Sequence, residues 1–147
     1  MEMTRPKVSD NFGAHLGETA RAWRNRLNQR LKPLGLSQAK WLVLLKLSHG
    51  GDGMVQKELA ERIGVEGPTL VGLLDRMTRD GWIVRRDSRA DRRSKTVHLT
   101  EQANAVTREI EAVAAKLRRE LLADIPAEQL QCCQDVLQRI RNKAERV

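Results

Sequence analysis

Apolar residues recur every three or four positions along the first part of the chain. Phe12, Leu16, Ala20, Trp23, Leu27 and Leu31 form one stripe and predict an amphipathic helix over about 10–31, ended by Lys32-Pro33. After Leu34-Gly35-Leu36, Ser37 is placed to cap a second helix through Trp41, Leu42, Leu44, Leu45 and Leu47, which stops at His49-Gly50-Gly51. That helix is apolar nearly all round, which implies burial. Gly50-Gly51-Asp52-Gly53 reads as a loop, and Met54-Val55 as a very short strand. The period then changes over 82–100. Two β-prone runs, Trp82–Arg86 and Thr96–Leu99, flank a charged stretch from Asp87 to Lys95, the pattern of a hairpin with a charged tip. Thr100 caps a long helix with Val106, Ile110, Val113, Leu117 and Leu121 turned inward. Pro126 stands near the first turn of a last helix, where Leu130, Cys133, Leu137, Ile140, Ala144 and Val147 step 3-4-3-4-3 as an a/d seam.

Between the second helix and the hairpin, the spacing is more specific. Counting Gln56 as position one, apolar residues fall at positions four (Leu59), eight (Ile63), ten (Val65), fifteen (Leu70) and eighteen (Leu73). Position five is the small Ala60, where two helices approach closely, and position nine is Gly64, free to take positive φ at a turn. This is the burial pattern of a helix-turn-helix, two short helices crossing at a tight angle. Its second helix begins after Gly67 with Pro68 in the first turn and ends at Gly81. An αα-hairpin in an ordinary helical protein has the same periodicity, so the charge context has to separate the two.

That context is basic. The 147-residue chain carries 27 Lys and Arg against 19 Asp and Glu, a formal charge of +8, which favours a polyanionic partner. Aromatics are only 3% and Tyr is absent, which weakens the case for the base-stacking platforms that read single strands and leaves duplex DNA as the better polyanion. Residues 85–95 alone hold Arg85, Arg86, Arg89, Arg92, Arg93 and Lys95 against Asp87 and Asp91, a net +4 and half the chain's formal charge. Directly after a helix-turn-helix, such a hairpin is a wing. Arginine binds phosphate bidentately and enters narrow minor grooves, and Asp91 is positioned to orient a neighbouring arginine by ion pairing. A further basic set, Arg21, Arg24, Arg26, Arg30 and Lys32, reads either as a DNA-backbone contact or as the wet face of the first helix.

These elements, with Arg30–Gln38, Trp41, the Gln56–Leu74 helices and Asp91-Arg92-Arg93-Ser94-Lys95 leading to Leu99-Thr100, resemble the MarR family, in particular its SlyA-like branch, over about residues 8–145. The resemblance implies a mainly α fold with a small β-hairpin: one domain over 1–147, with a winged helix-turn-helix DNA-binding lobe at 37–100 and dimerisation helices at 10–34 and 101–146. It implies a homodimeric transcription regulator, such as a repressor, on an inverted-repeat operator, released from DNA by a small aromatic carboxylate. By this resemblance Pro68, Thr69 and Arg76 meet the major groove, and Arg92 and Arg93 meet the minor groove and backbone. With Gln56 at the start of the motif and Arg89 and Lys95 on the hairpin, these make up the expected DNA contacts. The implied effector site comprises Arg21, Ala39, Trp41 and Leu70. One departure stands out: Gly72 occupies a position where SlyA-like relatives often carry arginine.

The terminal stripes independently argue for a dimer, because a chain of this length has little use for three long amphipathic helices around one small module. No apolar run reaches the roughly 18–20 residues of a membrane helix, and residues 1–11 lack the apolar stretch of a signal peptide, so a cytoplasmic protein without membrane contact is expected. Adjacent Cys132 and Cys133 cannot staple distant segments; Cys133 falls on the seam as a small core residue, and Cys132 points elsewhere. His15, His49 and His98 have no ligand-spaced partners, and no phosphate loop, nucleophile elbow or catalytic carboxylate pair is present, so no metal, cofactor or enzyme activity is expected. A nucleoid-type architectural DNA binder of low specificity and a basic membrane-surface protein are the competing classes.

Overall fold

The computed structural model describes residues 7–50, 53–91 and 93–147. They fall into two compact units, one running to Ala114 and the other Ala115–Val147. Gly51, Asp52 and Arg92, which figure in the sequence reading, lie outside the described residues.

In the first unit a 3-10 turn, Val8–Asn11, leads into α1, Phe12–Leu31, and a second one, Lys32–Leu34, closes it with Gly35 at φ 71°. The predicted stripe of α1 is covered only at its C-terminal end. Leu27 and Leu31 are buried, whereas Phe12 and Leu16 are 40% and 37% exposed. Helix α2, Gln38–Gly50, is the centre of the core: Trp41, Val43, Leu44 and Leu47 are all buried, as its all-round apolar sequence requires. The Trp41 indole N–H donates to Asn28 Oδ1 at 2.9 Å, so the ring is buried without losing a hydrogen bond. Ser37 Oγ accepts the Lys40 N–H, the expected cap.

Strand β1, Met54–Val55, runs straight into α3, Gln56–Ile63; Gly64 follows at φ 79°, and α4 spans Gly67–Arg79. The Gly64 and Val65 N–H groups both turn back to the Ala60 carbonyl, which closes α3 in the left-handed conformation that glycine adopts without steric cost. Leu59, Ala60, Ile63, Leu70 and Leu73 are buried as the helix-turn-helix spacing expects, joined by Leu74 and Met77, whereas Val65, also expected in the core, is only half-buried at the turn. Gly81, at φ 84°, ends α4 as expected. Strands β2, Ile83–Asp87, and β3, Lys95–Leu99, form the hairpin, and β1 adds to its far side in an antiparallel sheet of order β1-β3-β2. The register sets Met54 against Val97 and Arg85 against Val97 from the other side, with Met54, Ile83 and Val97 turned into the core.

Helix α5, Glu101–Leu122, starts in this unit. Thr100 Oγ1 accepts the Ala103 N–H and donates to the Gly81 carbonyl, tying the helix start to the end of α4. The inner face of α5 differs from the expected one. Ala103, Thr107, Ile110 and Leu117 are buried, while Val106 and Val113 are half-buried and Leu121 is 44% exposed. The Thr107 hydroxyl donates to the Ala103 carbonyl at 2.7 Å, so its burial leaves no unmet donor. In the second unit, α6 spans Ala127–Arg146 with Pro126 at its N-cap. None of its residues is buried, and in the single chain Cys133, expected on the seam as a small core residue, is exposed along with Cys132.

Candidate nucleic-acid interface

The start of α3, the start of α4 and the far end of the hairpin open onto one groove. It has a volume of about 560 Å³ and is lined among others by Gln56, Lys57, Gly67, Val71, Arg93 and Lys95. Neither helix start is capped by a side chain, so the free backbone N–H groups and the positive ends of two helix dipoles lie along it. Glu61 and Glu66 also line the groove and temper its charge. Uncapped helix starts beside cationic side chains suit phosphate oxygens, which accept from backbone N–H and Lys or Arg alike.

Helix α4 divides into two faces. Leu70, Leu73, Leu74 and Met77 turn inward, which leaves Pro68, Thr69, Val71, Asp75, Arg76 and Arg79 outside. Of the predicted contacts, Pro68 and Thr69 are exposed in the first turn and Arg76 two turns later on the same helix; Gln56 is half-buried as the first residue of α3. An α-helix with polar groups on its outer face is the element a major groove admits.

The hairpin end is shaped by its own backbone. Ser88 N–H donates to the Ser94 carbonyl, Ser94 N–H to the Asp91 carbonyl, and the Asp91 carboxylate accepts the Arg93 N–H at 2.9 Å. Asp91 thus organises the turn through the main chain of Arg93. Arg89 and Arg93 are exposed there; Lys95, also exposed, is paired with Asp87 across the hairpin. An ion pair that sequence spacing does not reveal ties the hairpin to α4. Arg85 Nη2 lies 2.6 Å from Asp75 Oδ1, with Arg85 only 26% exposed. The pair neutralises an acidic group on the outer face of α4 and fixes the hairpin against it.

The four residues expected around an effector divide into two pairs. Trp41 and Leu70 are buried at 1% and 0% exposure; Arg21 and Ala39 are exposed. Of the four, only Leu70 reaches the groove. The basic residues Arg21, Arg24, Arg26 and Arg30 of α1 and Lys32 just after it are all exposed, with Arg26 donating to Gln29 on its own helix. Among the described residues no three His, Cys, Asp or Glu side chains cluster as metal ligands, and no helix is long and apolar enough to cross a membrane.

The arrangement of helix-turn-helix, wing and flanking helices recurs in known proteins. A profile of the MarR family matches residues 34–94, from just after α1 through β2 and the hairpin turn. The transcriptional regulator PA3341 is 46% identical, with 92% of this chain and 99% of that one aligned at a TM-score of 0.87. CouR from Rhodococcus jostii RHA1, solved with p-coumaroyl-CoA bound, is 26% identical over 92% of this chain and 95% of its own, TM-score 0.78. The transcriptional regulator SlyA shares the fold at 23% identity, covering 91% and 94% of the two chains with a TM-score of 0.77. With nearly half of its residues shared with a transcriptional regulator over almost its whole length, and a family match spanning the helix-turn-helix and the first strand of the hairpin, the chain belongs to the MarR family of winged-helix transcription regulators.

Proposed function

We propose that the protein binds duplex DNA sequence-specifically as a homodimer on an inverted repeat, with α4 in the major groove and the β2–β3 wing on the adjacent backbone and minor groove. The groove shared by two uncapped helix starts, Arg93 and Lys95 carries this reading. Phosphates seated there hold the register, while Pro68, Thr69 and Arg76 on the outer face of α4 meet base edges. Gln56, Arg89 and Arg92 complete the contact set. Competitive binding of a selected inverted repeat against random duplex tests it: a specificity ratio of about 10³ or more supports a regulator, and a ratio near one supports an architectural DNA binder.

The dimer reading rests on α1 and α6. Phe12, Leu16, Val136 and Ile140 are large apolar side chains each close to 40% exposed in the single chain, and α6 buries none of its residues. A second copy is what such faces require, the dimerisation segments being 10–34 and 101–146. CouR, solved with p-coumaroyl-CoA bound, makes a small-molecule effector a reasonable expectation here. For this chain the effector is a small aromatic carboxylate paired with exposed Arg21. Ala39 is open to the ring, but Trp41 and Leu70 are fully packed, so the ring reaches those two only if the helices that bury them shift, which is how binding would change the spacing of two recognition helices. The linkage is reciprocal: operator DNA weakens effector affinity by the factor with which effector weakens operator affinity, readable by calorimetric titration.

A further inference from the structure

The outer face of α4 carries a notch. Successive residues turn by about 100°, so Pro68 and, one turn later, the half-buried Gly72 lie on the side of the helix away from the buried Leu70, Leu73, Leu74 and Met77. A Cβ built there meets nothing within 4 Å except Arg76 Nη1 at 3.8 Å. Packing inside the chain therefore does not demand a glycine, and its φ is helical, so no turn demands one either. Helical propensity speaks against it. Beside the notch stands Val71, 38% exposed, the one large hydrophobic side chain strongly exposed on this helix. It faces the groove that Arg93 and Lys95 also line.

A missing side chain in the middle of a recognition face lets the helix backbone come closer to whatever the face meets, and brings its neighbours closer too. In a major groove the only apolar group on a base edge is the thymine 5-methyl. We infer that Gly72 and Val71 together form a reader for thymine: Gly72 allows the close approach, and the Val71 methyl groups cover the 5-methyl of one thymine in each half-site. The assignment rests on the DNA-binding reading and makes Val71 and Gly72 specificity-determining residues. The Thr69 hydroxyl, one turn before the notch, and the Arg76 guanidinium, which lies back along the helix toward it, supply polar contacts on the flank away from Val71.

Deoxyuridine differs from thymidine only in lacking this methyl group, which makes it the direct probe. The half-site is first selected from a random duplex library with the wild-type chain, and each of its thymines is then replaced singly by deoxyuridine. At one position the wild type loses about fourfold in affinity, the equivalent of about 0.8 kcal/mol for one buried CH2-sized group. Val71→Ala binds the thymine duplex more weakly and is indifferent to deoxyuridine at that position; Val71→Thr, which keeps one methyl, falls between. Because Val71 is partly exposed, both variants fold, and thermal melting checks it. Equal deoxyuridine penalties in wild type and Val71→Ala, no penalty at any position, or a half-site without thymine overturns the inference and leaves the regulator reading intact. Failure to select any duplex overturns both.

Discussion

Replacing glycine by alanine at two positions of the helix-turn-helix has opposite expected effects on stability. At Gly64 the backbone is left-handed, φ 79°, and an added Cβ meets nothing within 4 Å. The cost is therefore the conformational penalty alone, about 1–2 kcal/mol for an L side chain in that region, partly offset by a less mobile unfolded chain, for a net loss of about 1 kcal/mol. At Gly72 the backbone is helical and the new methyl touches only the flexible end of Arg76 at an ordinary van der Waals distance. Gly72→Ala therefore gains about 0.5–1 kcal/mol. For a chain of this size 1 kcal/mol moves Tm by about 2–4 °C, so scanning calorimetry at one fixed protein concentration resolves both changes with opposite signs. The more stable Gly72→Ala protein should nevertheless bind its operator about fivefold more weakly, since the methyl fills the notch, with little change on random duplex. A fall in Tm for Gly72→Ala, or no loss for Gly64→Ala, refutes the conformational reasoning; unchanged operator affinity in Gly72→Ala refutes the role of the notch.

Three further outcomes follow from other parts of the structure. Arg85→Ala removes the ion pair to Asp75 and, because both groups are partly exposed, should cost no more than about 1 kcal/mol in urea unfolding, while operator and random duplex are both bound less tightly as the wing loosens. Arg93→Ala should make the log–log salt dependence of binding shallower by roughly 0.9 for each phosphate that Arg93 neutralises, doubled if both subunits of a dimer contribute; an unchanged slope on both duplexes removes Arg93 from the phosphate-binding set. Ile140→Asp, at an exposed apolar position of α6, should shift the protein toward monomer or unfolding in equilibrium sedimentation, and a wild-type chain that is a stable monomer at micromolar concentration contradicts the dimer.

Much of this fold is legible in the sequence, because the elements that matter announce themselves through periodicity and turn chemistry. Gly64 and Gly81 mark real left-handed helix ends, Ser37 and Thr100 real caps, and even the two-residue strand at Met54-Val55 is visible as a β-prone pair before a helix. What hydropathy leaves undetermined is which part of a stripe is covered and by what. Phe12 and Leu27 belong to the same stripe, yet one is exposed and the other buried. The inner face of α5 departs from the hydropathy pattern because Ala103 and Thr107 are small or polar and carry little hydrophobic signal, although a threonine bonded back to its own helix is a common way to bury one. The Asp75–Arg85 pair joins two different elements, so neither spacing nor charge runs point to it. Val71 is within reach of the sequence: once Leu70, Leu73, Leu74 and Met77 define the inner face, a valine off that face is an apolar group facing outward.

In the proposed complex two symmetry-related recognition helices read base sequence in duplex DNA. Repeated selection of bound duplexes from a randomised library, followed by sequencing, tests it most directly. Enrichment of one inverted repeat whose half-site centres lie about one helical turn, roughly 10 bp, apart is the expected result. A pool that stays random after repeated selection, or that converges on isolated half-sites bound as tightly as paired ones, contradicts it.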